Sequence, residues 1–296
     1  MKIDNWVNKN ANLTGKTIAI TGSSGGIVSE MVKTLAHKQA RFIFINRGKE
    51  KTQKQIEELK QINPNIDVEF IQCDLSDFLS VKNAVTILQQ REIDILFLGA
   101  GVYNVPRYKT SVELDNVFQV NFLSHYYMVK QLLDTIKKRN GKIVAVGSIA
   151  YKYSKTRQED IDFSNEKKHS KVYGNSKRYL MFALQELAYK ENVKLSVVHP
   201  GITLTEMTNH YPKFINWLVK IGIKLFFTKK RNAYLPLIKG LCEHTNKMEW
   251  IGPSKFNIWG KPCKKIIKGV TQEEISQIFN NAEMLYKGLN RNLQVD

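Results

Sequence analysis

Short apolar runs alternate along most of the chain with longer stretches in which apolar residues recur at helical spacing. The periodic stretches predict helices over residues 26–38, 50–62, 79–90, 112–138 and 173–191. The short runs, rich in β-branched and aromatic residues, predict strands over residues 17–21, 41–46, 67–72, 93–98, 142–146 and 195–199. Strands that alternate with helices predict an α/β fold in which helices cover both faces of a doubly wound parallel sheet.

A glycine-rich turn follows the first predicted strand and opens the first predicted helix. Gly22, Gly25 and Gly26 let backbone N–H groups approach a phosphate, and the helix N-terminus adds positive potential there. Glycine also serves such turns for purely conformational reasons. Polar residues, glycine or proline also end or follow the other predicted strands. These residues are Asn46, Asp74, Gly99, Ser148 and Pro200. Because a doubly wound sheet binds its ligands at these strand ends, phosphate binding is the favoured interpretation of the glycine turn.

The composition is that of a globular protein, with 296 residues, 43% hydrophobic and 24% charged. No linker-like segment or internal repeat divides the chain, so we expect a single domain over residues 1–296. The polar N-terminus lacks the apolar core of a signal peptide, and no run reaches the roughly 18 apolar residues of a spanning helix. Three cysteines stand far apart without metal or disulfide spacing. We therefore expect a cytoplasmic protein without a metal site.

The net charge of +18 allows two interpretations. Such a charge attracts polyanions, including nucleotides, nucleic acids and anionic membranes. The lysines are scattered along the whole chain, however, and no nucleic-acid-binding motif accompanies them. A solvated lysine-rich surface therefore explains most of the charge, and no nucleic-acid partner is expected.

At three places a tyrosine is followed four residues later by a lysine, a spacing that puts both on one helix face. An ammonium beside a phenol lowers the phenol's pKa from about 10, and the phenol can then exchange a proton with a carbonyl or alcohol oxygen. The pairs are Tyr126/Lys130, Tyr151/Lys155 and Tyr173/Lys177. Only Tyr173 is expected to open a helix downstream of a strand that ends in serine, so Tyr173/Lys177 is the predicted working pair.

Seven short motifs cover the chain from Lys16 to Met207. They are Thr21-Gly22-x-x-x-Gly26, Asp74-Leu75, Ala100-Gly101, Asn121, Ser148, Tyr173-x-x-x-Lys177 and Pro200-Gly201. Together they resemble the motifs of the short-chain dehydrogenase/reductase family. The sequences of residues 120–125 and 198–201 look most like those of retinol-dehydrogenase-like and lipid-carbonyl reductase members. The resemblance implies a Rossmann-type doubly wound parallel sheet of about seven strands, with cofactor binding and catalysis within residues 16–207.

The resemblance also implies roles for single residues. Tyr173 would be the general acid/base, Lys177 would tune it and hold the nicotinamide ribose, Ser148 would orient the substrate oxygen, and Asn121 would hold a water of a proton relay. A turn or cap role for Ser148 and a polar surface role for Asn121 are the alternatives. The implied cofactor-binding residues are Gly22, Ser23, Ser24, Gly25, Gly26, Ile27, Asn46, Arg47, Asp74, Leu75, Ala100, Gly101, Tyr173, Lys177, Pro200, Gly201, Ile202 and Thr205.

Charge at the end of the second strand bears on cofactor preference. An Asp or Glu there would bond the ribose 2′-hydroxyl and select NAD. This chain instead has Asn46-Arg47, with Lys49 and Lys51 close behind. A cation suits a 2′-phosphate, so NADP(H) is favoured and NAD(H) is the alternative. Arg47 as one more surface cation, and Asp74 as an ordinary turn residue, remain open interpretations.

Two positions depart from the family pattern. Val28 replaces the third glycine of the loop, which normally lets the helix pack close to the sheet, so we expect a shift to accommodate its side chain. Leu98-Gly99 replaces the two asparagines that usually follow the fourth strand. Both departures bear on cofactor affinity more than on the catalytic set.

Residues 208–296 lose the resemblance and are expected to build the substrate lid and C-terminal elements. Residues 214–231 are apolar with two lysines and a basic cluster at the end. They fit a helical lid over an apolar pocket, an interfacial helix that makes peripheral membrane contact, or an ordinary packed helix. Residues 271–289 predict a last surface helix. By resemblance, the helices that hold Asn121 and Tyr173 would pair in a homodimer.

The sequence therefore predicts an NADP(H)-dependent oxidoreductase that interconverts a carbonyl and an alcohol on an apolar small molecule. The first alternative is a dinucleotide-binding regulator or redox sensor without turnover, for which the two departures are the only support. A nucleotide-sugar epimerase or dehydratase fits less well, because such relatives carry a longer substrate domain and a differently spaced glycine loop.

Overall fold

The computed structural model describes residues 6–7, 9, 11–201 and 233–291. Within them, eight strands form one sheet, in which the spatial order is β3-β2-β1-β4-β5-β6-β7-β8. The first seven strands run parallel, and β8 pairs antiparallel with β7 at the edge. The strands are β1 (Thr17–Thr21), β2 (Arg41–Asn46), β3 (Asp67–Gln72), β4 (Ile95–Leu98), β5 (Lys142–Val146), β6 (Lys194–Val198), β7 (Glu249–Lys255) and β8 (Trp259–Ile266).

Seven helices of eight or more residues accompany the sheet in the described part of the chain. They are α1 (Gly26–Leu35), α2 (Lys49–Ile62), α3 (Phe78–Gln89), α4 (Ser124–Lys138), α5 (His169–Lys190), α6 (Leu235–Cys242) and α7 (Gln272–Arg291). A helical turn at Asn116–Phe118 and a π-helical turn at Gln119–Leu123 lead directly into α4, and a 3-10 helix occupies Ile149–Tyr153. Among the described helices, none is long and apolar enough to cross a membrane.

Apolar side chains on the two faces of the sheet form two separate cores. Residues of α3, α4, α5 and α7 bury one face, and residues of α1, α2 and α6 bury the other. The central strand β4 is buried along its whole length, as expected for a strand covered on both faces. The predicted α/β doubly wound fold is confirmed. The crossovers bring the carboxyl ends of β1 to β6 to one edge, where the candidate site lies.

Some predicted boundaries were wrong, and local hydrogen bonds explain the largest difference. The fourth predicted helix does not begin at Val112, because the Asp115 side chain caps the chain by accepting hydrogen bonds from the N–H groups of Val117 and Phe118. The helix predicted from Tyr173 begins at His169, so Tyr173 lies in its second turn and does not open it. The predicted segment 214–231, like Ile202 and Thr205, lies outside the described residues.

Candidate active site

The glycine turn between β1 and α1 packs directly against the end of β4. Gly22 has φ of 71°, and a Cβ at this position would lie 2.7 Å from the Cα of Ala100. A side chain at position 22 is therefore excluded both by backbone conformation and by space. The turn leads to Gly26, where α1 begins with the uncharged residues Gly26 to Ser29. The N-terminus of α1 is thus available to an anion.

A buried polar network supports this turn from below. The Asn46 amide nitrogen donates to Ser23 Oγ at 2.7 Å and to Thr52 Oγ1 at 3.0 Å, and Ser23 Oγ donates to the Gln55 side chain at 2.9 Å. All four side chains are buried. Asn46 Oδ1 has no partner among the described residues. Ser23 and Asn46, both predicted to bind the cofactor, thus use their side chains to join the turn to the end of β2.

Arg47 and Asp74 lie together at the ends of β2 and β3. The Arg47 side chain is 76% exposed, and its Nη1 lies 3.8 Å from Asp74 Oδ2. Asp74 Oδ1 accepts hydrogen bonds from the Ser76 N–H and hydroxyl, at 2.9 and 2.7 Å. Asp74 therefore has the turn role that the sequence left open. Leu75 is buried, and its carbonyl accepts hydrogen bonds from the Gln119 and Ser124 side chains.

Thr21 and His125 form a contact that the sequence analysis missed. Thr21 Oγ1 accepts hydrogen bonds from the N–H groups of Gly99 and Ala100, at 3.0 and 3.2 Å, and bonds His125 Nε2 at 3.0 Å. Burial lowers the pKa of His125 to about 3, so the ring is neutral at physiological pH. The signal was its spacing, because His125 follows Asn121 by one helical turn on the same face. This contact fixes the loop after β4.

Asn121 is a buried link between three elements. Its Oδ1 accepts from the N–H of Val102 at 2.7 Å, and its Nδ2 donates to the Val102 carbonyl at 2.9 Å and to Ser176 Oγ at 3.0 Å. The surface interpretation of Asn121 is therefore wrong. The residue lies in the π-helical turn 119–123, an irregularity that is frequent at functional sites.

Ser148, Tyr173 and Lys177 meet beyond the ends of β5 and β4. The Tyr173 hydroxyl is hydrogen-bonded to Ser148, and its ring packs edge-on against Tyr103 with centroids 5.1 Å apart. Ser148 Oγ also accepts from the N–H of Ala150 at 3.2 Å, so its capping role exists beside its contact with Tyr173. Lys177 is buried and donates to the Val146 carbonyl at 2.8 Å.

The two ionisable groups titrate differently from the sequence-based expectation. Burial raises the pKa of Tyr173 to about 12, against the opposing effect of the hydrogen bond with Ser148. Burial lowers the pKa of Lys177 to about 8. The expected lowering of the phenol pKa is wrong for this arrangement, because Lys177 Nζ lies 5.9 Å from the Tyr173 ring centroid and bonds a backbone carbonyl. Tyr173 is thus protonated at neutral pH and can donate a proton.

Gly101 leaves open the space between these groups. A Cβ at this position would lie 3.2 Å from Asn121 Oδ1 and 3.4 Å from Lys177 Nζ. Two polar side chains therefore converge on a place that a side chain at position 101 would crowd. Together with the N-terminus of α1 and the unpartnered Asn46 Oδ1, this cradle fits a dinucleotide that extends along the carboxyl edge of the sheet.

The remaining predicted residues fall into three groups. Tyr126 and Lys130 both bond Glu283, and the Tyr151 hydroxyl donates to the Lys268 carbonyl, so both other tyrosines are held in structural contacts. Ser24, Gly25 and Ile27 complete the glycine turn, and Pro200 and Gly201 follow β6. No cluster of His, Cys, Asp or Glu able to hold a metal occurs among the described residues.

Comparison with known proteins adds sequence relatives. The family model of the short chain dehydrogenases matches residues 16–215. An uncharacterized oxidoreductase of Schizosaccharomyces pombe is 33% identical over 219 residues, which make up 69% of this chain and 65% of that protein, or less than two thirds of its length. Retinol dehydrogenase 12 of Mus musculus is 30% identical, covering 70% of this chain and 68% of the relative. Polyprenol dehydrogenase of Homo sapiens is 28% identical, covering 83% of each chain.

Solved structures share the fold at lower identity. An uncharacterized protein from Mycobacterium paratuberculosis superposes with a TM-score of 0.71 at 19% identity, covering 95% of this chain and 97% of the other. L-sorbose reductase from Gluconobacter frateurii, solved with NADPH and L-sorbose, gives a TM-score of 0.58 at 19% identity, covering 79% and 92% of the two chains.

Proposed function

Because the chain belongs to the short-chain dehydrogenase/reductase family, and is thus an oxidoreductase of the class that acts on CH–OH groups, we propose that it interconverts a carbonyl and an alcohol on an apolar small molecule with NADP(H). The observation that carries this proposal is the meeting of Ser148, Tyr173, Lys177 and Asn121 beside Gly101. The compartment we propose is the cytoplasm, in keeping with three free cysteines.

The proposed mechanism assigns each step to a side chain at this meeting point. The nicotinamide, when bound, supplies or accepts the hydride. In the reducing direction, the Tyr173 hydroxyl donates its proton to the substrate oxygen, and the Ser148 hydroxyl holds that oxygen and stabilises its developing charge. Lys177 Nζ, 5.9 Å from the Tyr173 ring centroid, would bind the nicotinamide ribose. Lys177 would return a proton to Tyr173 through a water that Asn121 holds.

Support for NADP(H) comes from the end of β2. Arg47 is exposed there, and the residue before it is the neutral Asn46, where an NAD-selecting carboxylate would stand. A guanidinium is suited to a 2′-phosphate because it can form paired, charge-assisted hydrogen bonds. Support for an apolar substrate comes from the names of two relatives, a retinol dehydrogenase and a polyprenol dehydrogenase.

Replacement of Tyr173 by Phe tests the mechanism. It removes the proton donor but keeps the ring against Tyr103, so we expect turnover of apolar aldehydes and ketones to fall about 10²–10⁴-fold. NADPH affinity, measured by fluorescence titration, should stay within about threefold. The matched control is Tyr189→Phe, at an exposed position about 24 Å farther along α5. Full turnover by Tyr173→Phe would refute the assignment.

Replacement of Arg47 by Gln tests the cofactor preference. Loss of a charged hydrogen bond to the 2′-phosphate should weaken NADPH binding about tenfold or more and leave NADH binding unchanged. Lys60→Gln, an exposed lysine at the other end of α2, is the charge-matched control. Equal losses for both cofactors, or no loss for either, would show that Arg47 is an ordinary surface cation.

A further inference from the structure

The β7–β8 hairpin ends in an exposed aromatic tip, defined here as residues 254–261. Of the phenylalanines that the structure describes, only Phe256 is exposed, at 79%. Its ring lies 6.0 Å from that of Trp259, in an edge-on arrangement. The tip thus presents two neighbouring aromatic rings, of which the Phe256 ring contributes almost nothing to the core.

The backbone conformation at position 256 is unfavourable for a phenylalanine, so folding by itself does not explain this residue. Phe256 and Asn257 have φ of 52° and 58°, and the turn closes by a hydrogen bond from the Ile258 N–H to the Lys255 carbonyl at 3.0 Å. Two successive residues with positive φ define a tight hairpin turn that favours Asn and Gly. A bulky aromatic side chain is strained in this region. An exposed and strained Phe indicates a role outside the fold.

The sequence on both sides of these rings holds lysines and no carboxylate. From Trp250 to Thr271 the sequence holds five lysines and no Asp or Glu. Within the tip, Lys255 and Lys261 are exposed before Phe256 and after Trp259, and Lys265 Nζ donates to Asn257 Oδ1 at 2.9 Å. In the described part of the chain outside the hairpin, the Glu243 carboxylate lies 3.8 Å from Lys264. Lysines and Pro262 on β8 also protect an exposed sheet edge, but that role does not explain an exposed Phe256.

The tip lies next to the candidate active site. His199, the residue after β6, bonds the Asn257 carbonyl through Nε2 at 3.0 Å. A Cβ on Gly201 would lie 2.5 Å from the Ile258 carbonyl oxygen, so Pro200–Gly201 passes directly beside the turn. Whatever binds the tip is therefore held close to the carboxyl edge of the sheet, where the substrate would enter.

We propose that the hairpin tip docks on an anionic lipid surface. Phe256 and Trp259 enter the interfacial region, where aromatic rings are favoured, and Lys255 and Lys261 contact lipid phosphates and carboxylates. The cytoplasmic leaflet carries the negative charge that such a surface needs. Docking would bring the site to a substrate dissolved in the membrane. The proposal goes beyond the proposed function, and its test requires no turnover.

Vesicle cosedimentation of the full chain tests the proposal. We expect binding to phosphatidylcholine vesicles that contain phosphatidylserine, weakening as salt rises, and little binding to phosphatidylcholine alone. Phe256→Asn should lower the partition coefficient about tenfold or more, because it removes the phenyl ring that would enter the lipid interface. Lys255→Gln and Lys261→Gln should each lower it about fivefold. Asn is favoured at the left-handed position, so the variant keeps the turn.

Matched controls separate the tip from general charge and exposure. Leu79→Asn removes another exposed apolar side chain, and Lys54→Gln with Lys60→Gln removes two exposed lysines from α2. All control variants should bind like the wild type, and all variants should keep their melting temperature and NADPH affinity. In the wild type, Trp259 emission should shift to the blue on binding, and Trp259→Phe should lose that shift.

Three outcomes would overturn the proposal. They are failure of the wild type to bind the serine-containing vesicles, unchanged binding by Phe256→Asn, and equal binding to vesicles with and without phosphatidylserine. Binding of single-stranded RNA at similar affinity, lost in the same tip variants, would assign the surface to base stacking instead.

Discussion

At the scale of single residues, Val28 and Gly99 fit each other. A Cβ on Gly99 would lie 3.0 Å from Val28 Cγ2, 2.9 Å from the Thr21 carbonyl oxygen and 2.8 Å from the Phe97 ring. The Val28 side chain thus occupies space that a side chain at position 99 would need. Because Gly99 has no side chain, it provides the room for Val28 that the sequence analysis expected a shift of the helix to provide. The Val28 and Gly99 departures therefore compensate each other in space.

A double-mutant cycle measures this compensation. Gly99→Ala should destabilise the protein, and it should cost about 0.5–3 kcal/mol less in a Val28→Ala background, where one of the three close contacts is gone. Part of the cost remains in the double variant because the Thr21 carbonyl is backbone and cannot move away. Urea unfolding gives the four free energies. The neighbouring Ile27→Ala should be additive with Gly99→Ala, and equal additivity for Val28→Ala would contradict the pairing.

At the scale of elements, an ion pair between a buried arginine and a partly buried glutamate joins α5 and α7 to the segment that carries Ser148. Arg178, the residue after Lys177, bonds Glu274 through Nε at 2.7 Å and Nη2 at 2.5 Å, and donates from Nη1 to the Tyr151 carbonyl at 2.8 Å. The Thr156 N–H and hydroxyl also donate to Glu274. Arg178 is only 2% exposed. This pair therefore helps to fix how the Ser148 segment faces Tyr173.

Sequence reasoning predicted the sheet and brought forward the candidate site residues because each depends on neighbours along the chain. The strand-to-helix alternation and the Tyr173/Lys177 spacing are local patterns. Contacts such as Thr21 with His125, or Arg178 with Glu274, join residues 104 and 96 positions apart. Such contacts depend on how elements pack in three dimensions. The same packing raised the pKa of Tyr173. From the local Tyr/Lys spacing, we had expected this pKa to be lowered.

Glu274→Gln tests the ion pair through its pH dependence. The variant leaves Arg178 buried without its partner charge, and should cost about 3–5 kcal/mol at neutral pH. Burial opposes ionisation of Glu274, but hydrogen bonds from Arg178 and Thr156 outweigh it and lower the pKa of the carboxyl group. A pKa lower in the folded than in the unfolded state gives stability that is complete above the unfolded value and lost as the pH falls through the folded value.

The wild type and Glu274→Gln should therefore differ in stability by a constant amount above about pH 5, and the difference should shrink below about pH 4. Urea unfolding over a pH series measures it. Glu273→Gln, an exposed carboxylate one residue away, should cost about 0.5 kcal/mol or less. A difference that stays unchanged into acid would show that Glu274 acts by packing and not by charge.

At the scale of the whole molecule, α7 covers the face that a homodimer through the helices of Asn121 and Tyr173 would use. Its side chains Ile275, Ile278, Phe279 and Ala282 are buried in one core with residues of α4 and α5. Glu283 bonds Tyr126 and Lys130 of α4, and Asn281 bonds the Tyr179 hydroxyl of α5 at 2.9 Å. The predicted last surface helix is thus partly buried, and pairing through α4 and α5 would require its displacement.

We therefore expect the wild type to be a monomer of 34.1 kDa by light scattering. Ile278→Asp places a charge on the buried side of α7 and should destabilise the protein by about 3 kcal/mol or more. Once α7 detaches, the apolar faces of α4 and α5 become exposed, and large exposed apolar surfaces associate. This variant should consequently form dimers or larger species at concentrations where Met284→Asp, on the exposed side of the same helix, remains monomeric. The contradicting result would be a wild-type dimer in which the amides of α4 and α5 gain protection from hydrogen exchange on association. In that case α7 would have to leave the face of α4 and α5 that it covers, or share it with the second copy.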